Sequence, residues 1–238
     1  MKICLDAGHG LYTAGKQTPD GIKEWSLNDK VRDMVVSLLS KYDVEIVNAD
    51  YNEGKTDESL SSRLNMYLSE KVDAFVSIHH NAFTGKWNNA TGVEVYTDRN
   101  PTKADLRLAD CIYGRLVNYT GMKGRGIKSV NWTVINQNKI PAVLVEGGFM
   151  DGTEDYKIIT SESGQIAYAK AVADGLVEFL GLKRKEKTEE LTSVNDIVWE
   201  LANRGIITNK ALWLKKLEED KDVYWLAQKT AKYLREIR

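Results

Sequence analysis

Through its first 182 residues this chain alternates short, apolar, β-rich runs with amphipathic helical segments, and that alternation most constrains its fold. Residues 2–7 (KICLDA), 43–49, 72–79, 92–97, 132–136 and 141–148 read as strands. Between the first two, residues 25–42 place Leu27, Val31, Met34, Val35, Leu38 and Leu39 at spacings of three and four, which only a helix gathers onto one face. Residues 59–71, 106–119 and 166–182 repeat that pattern. The expectation is an α/β fold, a mostly parallel twisted sheet with helices on both faces. In such sheets ligands bind outside the carboxyl ends of the strands.

Residues capable of chemistry collect at those ends. The chain has three histidines, His9, His79 and His80. His9 follows the first strand run (DAGHG) and His79 ends the third (VSIHHNA), so neighbouring strands can deliver both imidazoles to one sheet edge. With Glu24 (GIKEWSLN) they make two imidazoles and a carboxylate, a catalytic zinc set if one position stays open. Glu146 ends another apolar run, PAVLVE. Partial burial there would raise its pKa and suit it to accept and return a proton. Asp6 is read either as an acceptor that orients a ligand imidazole or as a cap of the turn. Asn81 holds the loop or donates to substrate. His80 points to the opposite face from His79 on an extended chain, which leaves it to the rim or to a substrate contact. Gly8 and Gly10 are expected to permit the turn at His9, Gly147 and Gly148 to leave room for substrate, and Glu94 to face solvent or a helix partner.

Composition excludes several alternatives. A net charge of -1 offers no electrostatic case for nucleic-acid binding. Two cysteines, Cys4 and Cys111, make no disulfide framework, and Cys4 reads as a small buried hydrophobe. No GxGxxG or P-loop ending is present, and the helix-borne HExxH zinc motif is absent. No apolar run approaches the length needed to span a bilayer, so membrane insertion is not expected. MKICLDAGHG passes directly into a strand without the regions of a signal peptide, so the expectation is a protein made and held in the cytoplasm.

The tail differs. Residues 183–190 form a charged linker, and residues 191–238 carry three helix patterns, capped at Ser193, at Thr208 and at Asp220 or Asp222. The expected organisation is a catalytic domain at 1–182 and a small all-α, three-helix domain at 191–238. Three of the six tryptophans, Trp199, Trp213 and Trp225, fall in this piece, where core filling is the expected role for at least two.

DAGHG, the Glu24-x-x-x-Asn28 spacing, S-x-H-x-N-A at 77–82 and PAVLVEGGF at 141–149 together resemble the zinc-dependent N-acetylmuramoyl-L-alanine amidases of the Amidase_3 type, in the right order over roughly residues 1–180. The resemblance implies zinc held by His9, Glu24 and His79, with Glu146 as the catalytic glutamate. It implies cleavage of the amide between N-acetylmuramic acid and L-alanine in peptidoglycan by zinc-activated water. Two departures border the cleft: His80 where the family usually has a small residue, and GGF after Glu146. The C-terminal helices are similar to modules in lysins of phages that infect Gram-positive, clostridium-like hosts. They are expected to bind cell wall or to mediate self-association into a homo-oligomer. The setting implied is a phage endolysin kept in the host cytoplasm until release to the wall, with a sporulation mother-cell autolysin as the alternative. A zinc peptidase cutting another bond of the stem is the enzymatic alternative.

Overall fold

A computed structural model describes residues 1–49, 54–185 and 194–236. The chain forms two compact units, Met1–Arg184 and Lys185–Arg238. The first contains β1 (Lys2–Ala7), α1 (Glu24–Leu39), β2 (Glu45–Asn48), α2 (Leu60–Ser69), β3 (Ala74–Asn81), β4 (Val93–Asp98), α3 (Lys103–Thr120), β5 (Gly124–Val130), β6 (Ala142–Phe149), α4 (Thr153–Ile159) and α5 (Glu162–Leu180). Six strands make one sheet in the order β2-β1-β3-β6-β4-β5. Only the β4–β6 pairing is antiparallel, so the sheet is mostly parallel, as expected.

The strands are apolar because both of their faces are covered. All eight residues of β6 are buried. Successive side chains alternate between faces, which separates two cores. Ile3, Leu5, Val76, Ile78, Val143 and Val145 pack with Val31 and Val35 of α1, Leu108 and Ile112 of α3, and Val172 and Leu176 of α5. Each such side chain contributes roughly 1.5–3 kcal/mol on burial. Cys4, Phe75, Ala142 and Leu144 face the other way, against Met66 and Tyr67 of α2 and Val134, Ile135 and Ile140. Helix α2 has ten residues, so it spans only about 15 Å. Asp6, Ser77, His79, Glu94 and Glu146 continue the second face, by the same alternation.

The expected strand at residues 132–136 is instead a turn, closed by the Ile135 amide donating to the Trp132 carbonyl at 3.0 Å. Val134 and Ile135 are apolar because they plug the second core rather than because they pair. The strand lies just before, in Gly124–Val130, where Gly124 and Gly126 obscure any alternation.

In the second unit α6 (Val194–Asn203), α7 (Lys210–Glu219) and α8 (Lys221–Glu236) enclose Ile197, Val198, Leu201, Ile207, Leu217, Ala227 and Ala231. Asn209, not Thr208, caps α7, its side chain accepting from the Leu212 amide. Asp220 Oδ1 accepts from the Asp222 and Val223 amides at the start of α8. Ser193 and most of the expected linker lie outside the described residues. Of the three tryptophans only Trp213 packs against this core, where at least two were expected to. Trp199 and Trp225 are 60% and 55% exposed, because Ile, Val, Leu and Ala side chains already close so small an interior.

Candidate metal centre and cleft

His79 and Glu146 stand within their strands, two residues before the end of β3 and three before the end of β6, as direct register partners. His9 follows β1 by two residues, and Glu24 opens α1. The fold brings three of these together. His9 Nε2 lies 3.3 Å from Glu24 Oε2, and His79 Nδ1 lies 3.1 Å from Glu24 Oε1. The two imidazoles meet edge to face, centroids 4.8 Å apart. One donor atom from each of His9, Glu24 and His79 falls within 4.8 Å of the others.

Backbone geometry makes this approach possible. A Cβ on Gly8 would stand 2.0 Å from the His79 ring, so only glycine lets the chain leaving β1 pass beneath that imidazole. Gly8 thus serves close approach, and the turn falls on His9 itself, which takes a left-handed φ of 67°. Arg63 of α2 holds that turn: its guanidinium donates to the Ala7 carbonyl at 3.0 Å and the His9 carbonyl at 2.6 Å. It also pairs with Asp6, whose second oxygen accepts from Ser77 Oγ at 2.5 Å. Asp6 therefore neither orients an imidazole nor caps a turn; its carboxylate is consumed by Arg63 and Ser77. Nothing in the local sequence around Asp6 marks Arg63, which lies 57 residues away.

Glu24 is buried. Burial opposes its charge, but hydrogen bonds from His79 and His9 outweigh that and hold its carboxyl well below the usual range. His80 is buried as well, 2% exposed, so it occupies no rim. Its amide donates to Glu24 Oε1 at 3.3 Å, and its Nδ1 meets Asn28 Oδ1 at 2.8 Å. Asn28 Nδ2 in turn donates to the Gly8 carbonyl at 3.1 Å. Burial pushes the His80 imidazole down to about 4.

Glu146 is 9% exposed, and its Oε2 is buried with no hydrogen-bond partner among the described residues. Burial raises its carboxyl well above the ordinary value, and the carboxylates of Glu24 and Glu94 push the same way. Glu94, expected to face solvent or a helix partner, is 1% exposed and is the register partner of Glu146 on β4. Its oxygens accept from Asn81 Nδ2 (2.7 Å), Tyr96 Oη (2.6 Å), Arg125 Nε (2.9 Å) and Lys128 Nζ. Asn81 holds its loop too, Oδ1 accepting from the Ala82 amide at 2.8 Å. The two glycines after Glu146 do not make room for substrate. A Cβ on Gly147 would meet the Tyr168 ring at 2.0 Å, and Gly148 takes φ 119° where β6 slips its register against β3.

A cavity of about 520 Å³ opens over this set, lined also by Lys16, Leu60, Trp132, Val134 and Leu144. Two imidazoles and a buried carboxylate converging beside a partnerless carboxylate oxygen fit a small divalent cation with nitrogen and oxygen preference. The family model for N-acetylmuramoyl-L-alanine amidase (Amidase_3) matches residues 3–178. The chain belongs to this amidase family. An endolysin of Bacillus phage SPP1 is 32% identical over 186 residues, 77% of this chain and 67% of that protein. The N-acetylmuramoyl-L-alanine amidase LytC of Bacillus subtilis is 32% identical over 178 residues, 74% of this chain but only 35% of LytC. This amidase therefore spans two thirds of one relative and about a third of the other. The catalytic domain of CwlV, an N-acetylmuramoyl-L-alanine amidase from Bacillus (Paenibacillus) polymyxa var. colistinus, superposes with a TM-score of 0.70 at 28% identity. That match covers 76% of this amidase and 99% of the CwlV domain. Among the described residues no helix is long and apolar enough to cross a membrane.

Proposed function

We propose that this amidase cleaves the bond between N-acetylmuramic acid and the first L-alanine of the peptidoglycan stem, with zinc held by His9, Glu24 and His79 and with Glu146 as proton carrier. The observation that carries this reading is the partnerless, buried Glu146 oxygen beside His79, facing a cleft that also holds the His9–Glu24–His79 set. Zinc bound there supplies Lewis acidity, polarising the scissile carbonyl and lowering the pKa of water.

The remaining work falls to the chain. Glu24, kept ionised between the two imidazoles, contributes the negative charge of the set. The His80 amide braces it by donating to Oε1, and Asn28 holds the His80 ring. Glu146 takes a proton from the attacking water and returns it to the departing alanine nitrogen; its raised proton affinity suits both transfers. Glu94 beside it stays ionised because Lys128, Tyr96 and Arg125 outweigh its burial. The two neighbouring carboxylates thus have separated proton affinities, the arrangement that lets one of them carry protons.

The likeness to a phage endolysin supports a lytic role, in which the protein waits in the cytoplasm of a Gram-positive, clostridium-like host and then reaches the wall. Residues 191–238 would tether it to the wall or to a second copy, a reading supported by the exposed Trp199 and Trp225. Digestion of purified walls tests the central claim. New N-terminal alanine and peptide-free glycan chains are expected; new amines only within the stem or cross-bridge would make the protein a zinc peptidase instead.

A further inference from the structure

We propose that Trp132 is the sugar-binding residue of the cleft, its free indole face packing on a pyranose ring of the glycan while the scissile amide lies at Glu146. This rests on the amidase reading above.

The turn that carries Trp132 divides its side chains between two tasks. Val134, Ile135 and Ile140 are 2%, 0% and 8% exposed and fill the core under α2. Trp132 is 39% exposed, so it adds little to that core, yet it lines the same cavity as His9, Glu24, His79 and Glu146. Its ring leans against the Tyr96 ring at a tilt of 43°, centroids 4.5 Å apart. Tyr96 is itself fixed, its hydroxyl donating to buried Glu94 at 2.6 Å. The indole is thus held in place before any ligand arrives, which lowers the entropy cost of binding.

The chemistry of the lining separates two halves of a substrate. Lys16, Asp57 and Glu58 give the cavity charged groups, suited to the amides and ionised groups of a peptide. Trp132, Val134 and Leu144 supply an uncharged apolar surface in the same cavity. A pyranose presents an uncharged ring whose C–H face is apolar and whose hydroxyls point sideways, so it stacks on a fixed indole without stranding polar groups.

Two substrates with the same scissile amide test this on the full-length protein: a muramoyl-peptide, and a lactoyl-peptide lacking the pyranose. For Trp132→Ala, kcat/KM is expected to fall about tenfold on the first through KM, and to stay unchanged on the second. Trp132→Phe should keep most of the discrimination. Equal loss on both substrates, or loss on neither, overturns the proposal. Binding of the peptide-free disaccharide of N-acetylglucosamine and N-acetylmuramic acid to Glu146→Gln protein, with and without Trp132→Ala, gives a readout independent of turnover. About tenfold weaker binding supports the sugar platform, and unchanged binding overturns it. Wild-type protein that cleaves neither peptide refutes the amidase reading instead, and the disaccharide measurement still decides Trp132.

Discussion

His79 and Glu146 are register partners on adjacent parallel strands, so their side chains leave the same sheet face one strand spacing apart. This places a proposed metal ligand and a proposed proton carrier side by side without any help from loops. Glu146→Gln should therefore retain zinc while amide cleavage falls at least ~100-fold. Metal content per chain and release of N-terminal alanine from purified walls would check it. Lytic activity that survives the change would remove Glu146 as the base.

Chelation tests the metal. Dialysis against a chelator should abolish cleavage, and zinc should restore it. Melting temperature should fall on chelation and recover on reloading, because an ion that binds only the folded chain stabilises it. Glu24→Ala should lose both effects, since the carboxylate between the two imidazoles is gone.

Arg63→Ala should destabilise the fold by roughly 3–5 kcal/mol, because it strands Asp6 as a buried, uncompensated charge. Denaturant titration would measure this. Adding Asp6→Ala should recover part of the loss, a non-additivity that separates the charge penalty from lost packing. Recovery of nothing would show that Arg63 acts through the His9 turn alone.

His80 predicts a pH dependence of stability. Its folded value is about 4, depressed by burial, whereas the unfolded imidazole titrates near 6.5. Between those values the unfolded chain binds a proton that the folded chain refuses. Its stabilising contribution is therefore complete above pH 6.5 and declines as pH falls toward 4, by about 3 kcal/mol in all. Unfolding free energies at several pH values would trace the loss, and His80→Gln should flatten it.

Replacing Trp199 and Trp225 together with alanine should leave the fold intact, since both face solvent. Co-sedimentation of full-length Glu146→Gln protein with host walls should drop if they contact wall. A shift in oligomeric state instead would assign them to self-association, and no change in either would remove both roles.

Much of this was legible in the residue order. Strand and helix periodicity predicted the mostly parallel sheet, because alternation and three-to-four spacing are local consequences of backbone geometry. His9, Glu24, His79 and Glu146 announced themselves beside apolar runs, and the motif resemblance supported Glu24, the ligand that spacing alone justified least. The glycine-bearing β5 escaped notice, and the turn at 132–136 resembled a strand because tertiary burial, not pairing, made it apolar. What only the folded chain decided were the partnerships across long separations. Arg63 engages Asp6, Tyr168 excludes a side chain at Gly147, His80 turns inward to Asn28, and Glu94 sinks beside Glu146. Sequence pattern reports which face a residue occupies; strand order and helix placement decide what else stands on that face. A carboxylate reads the same in a chain whether it will meet water, an arginine or nothing at all, and only the last makes it a buried proton carrier.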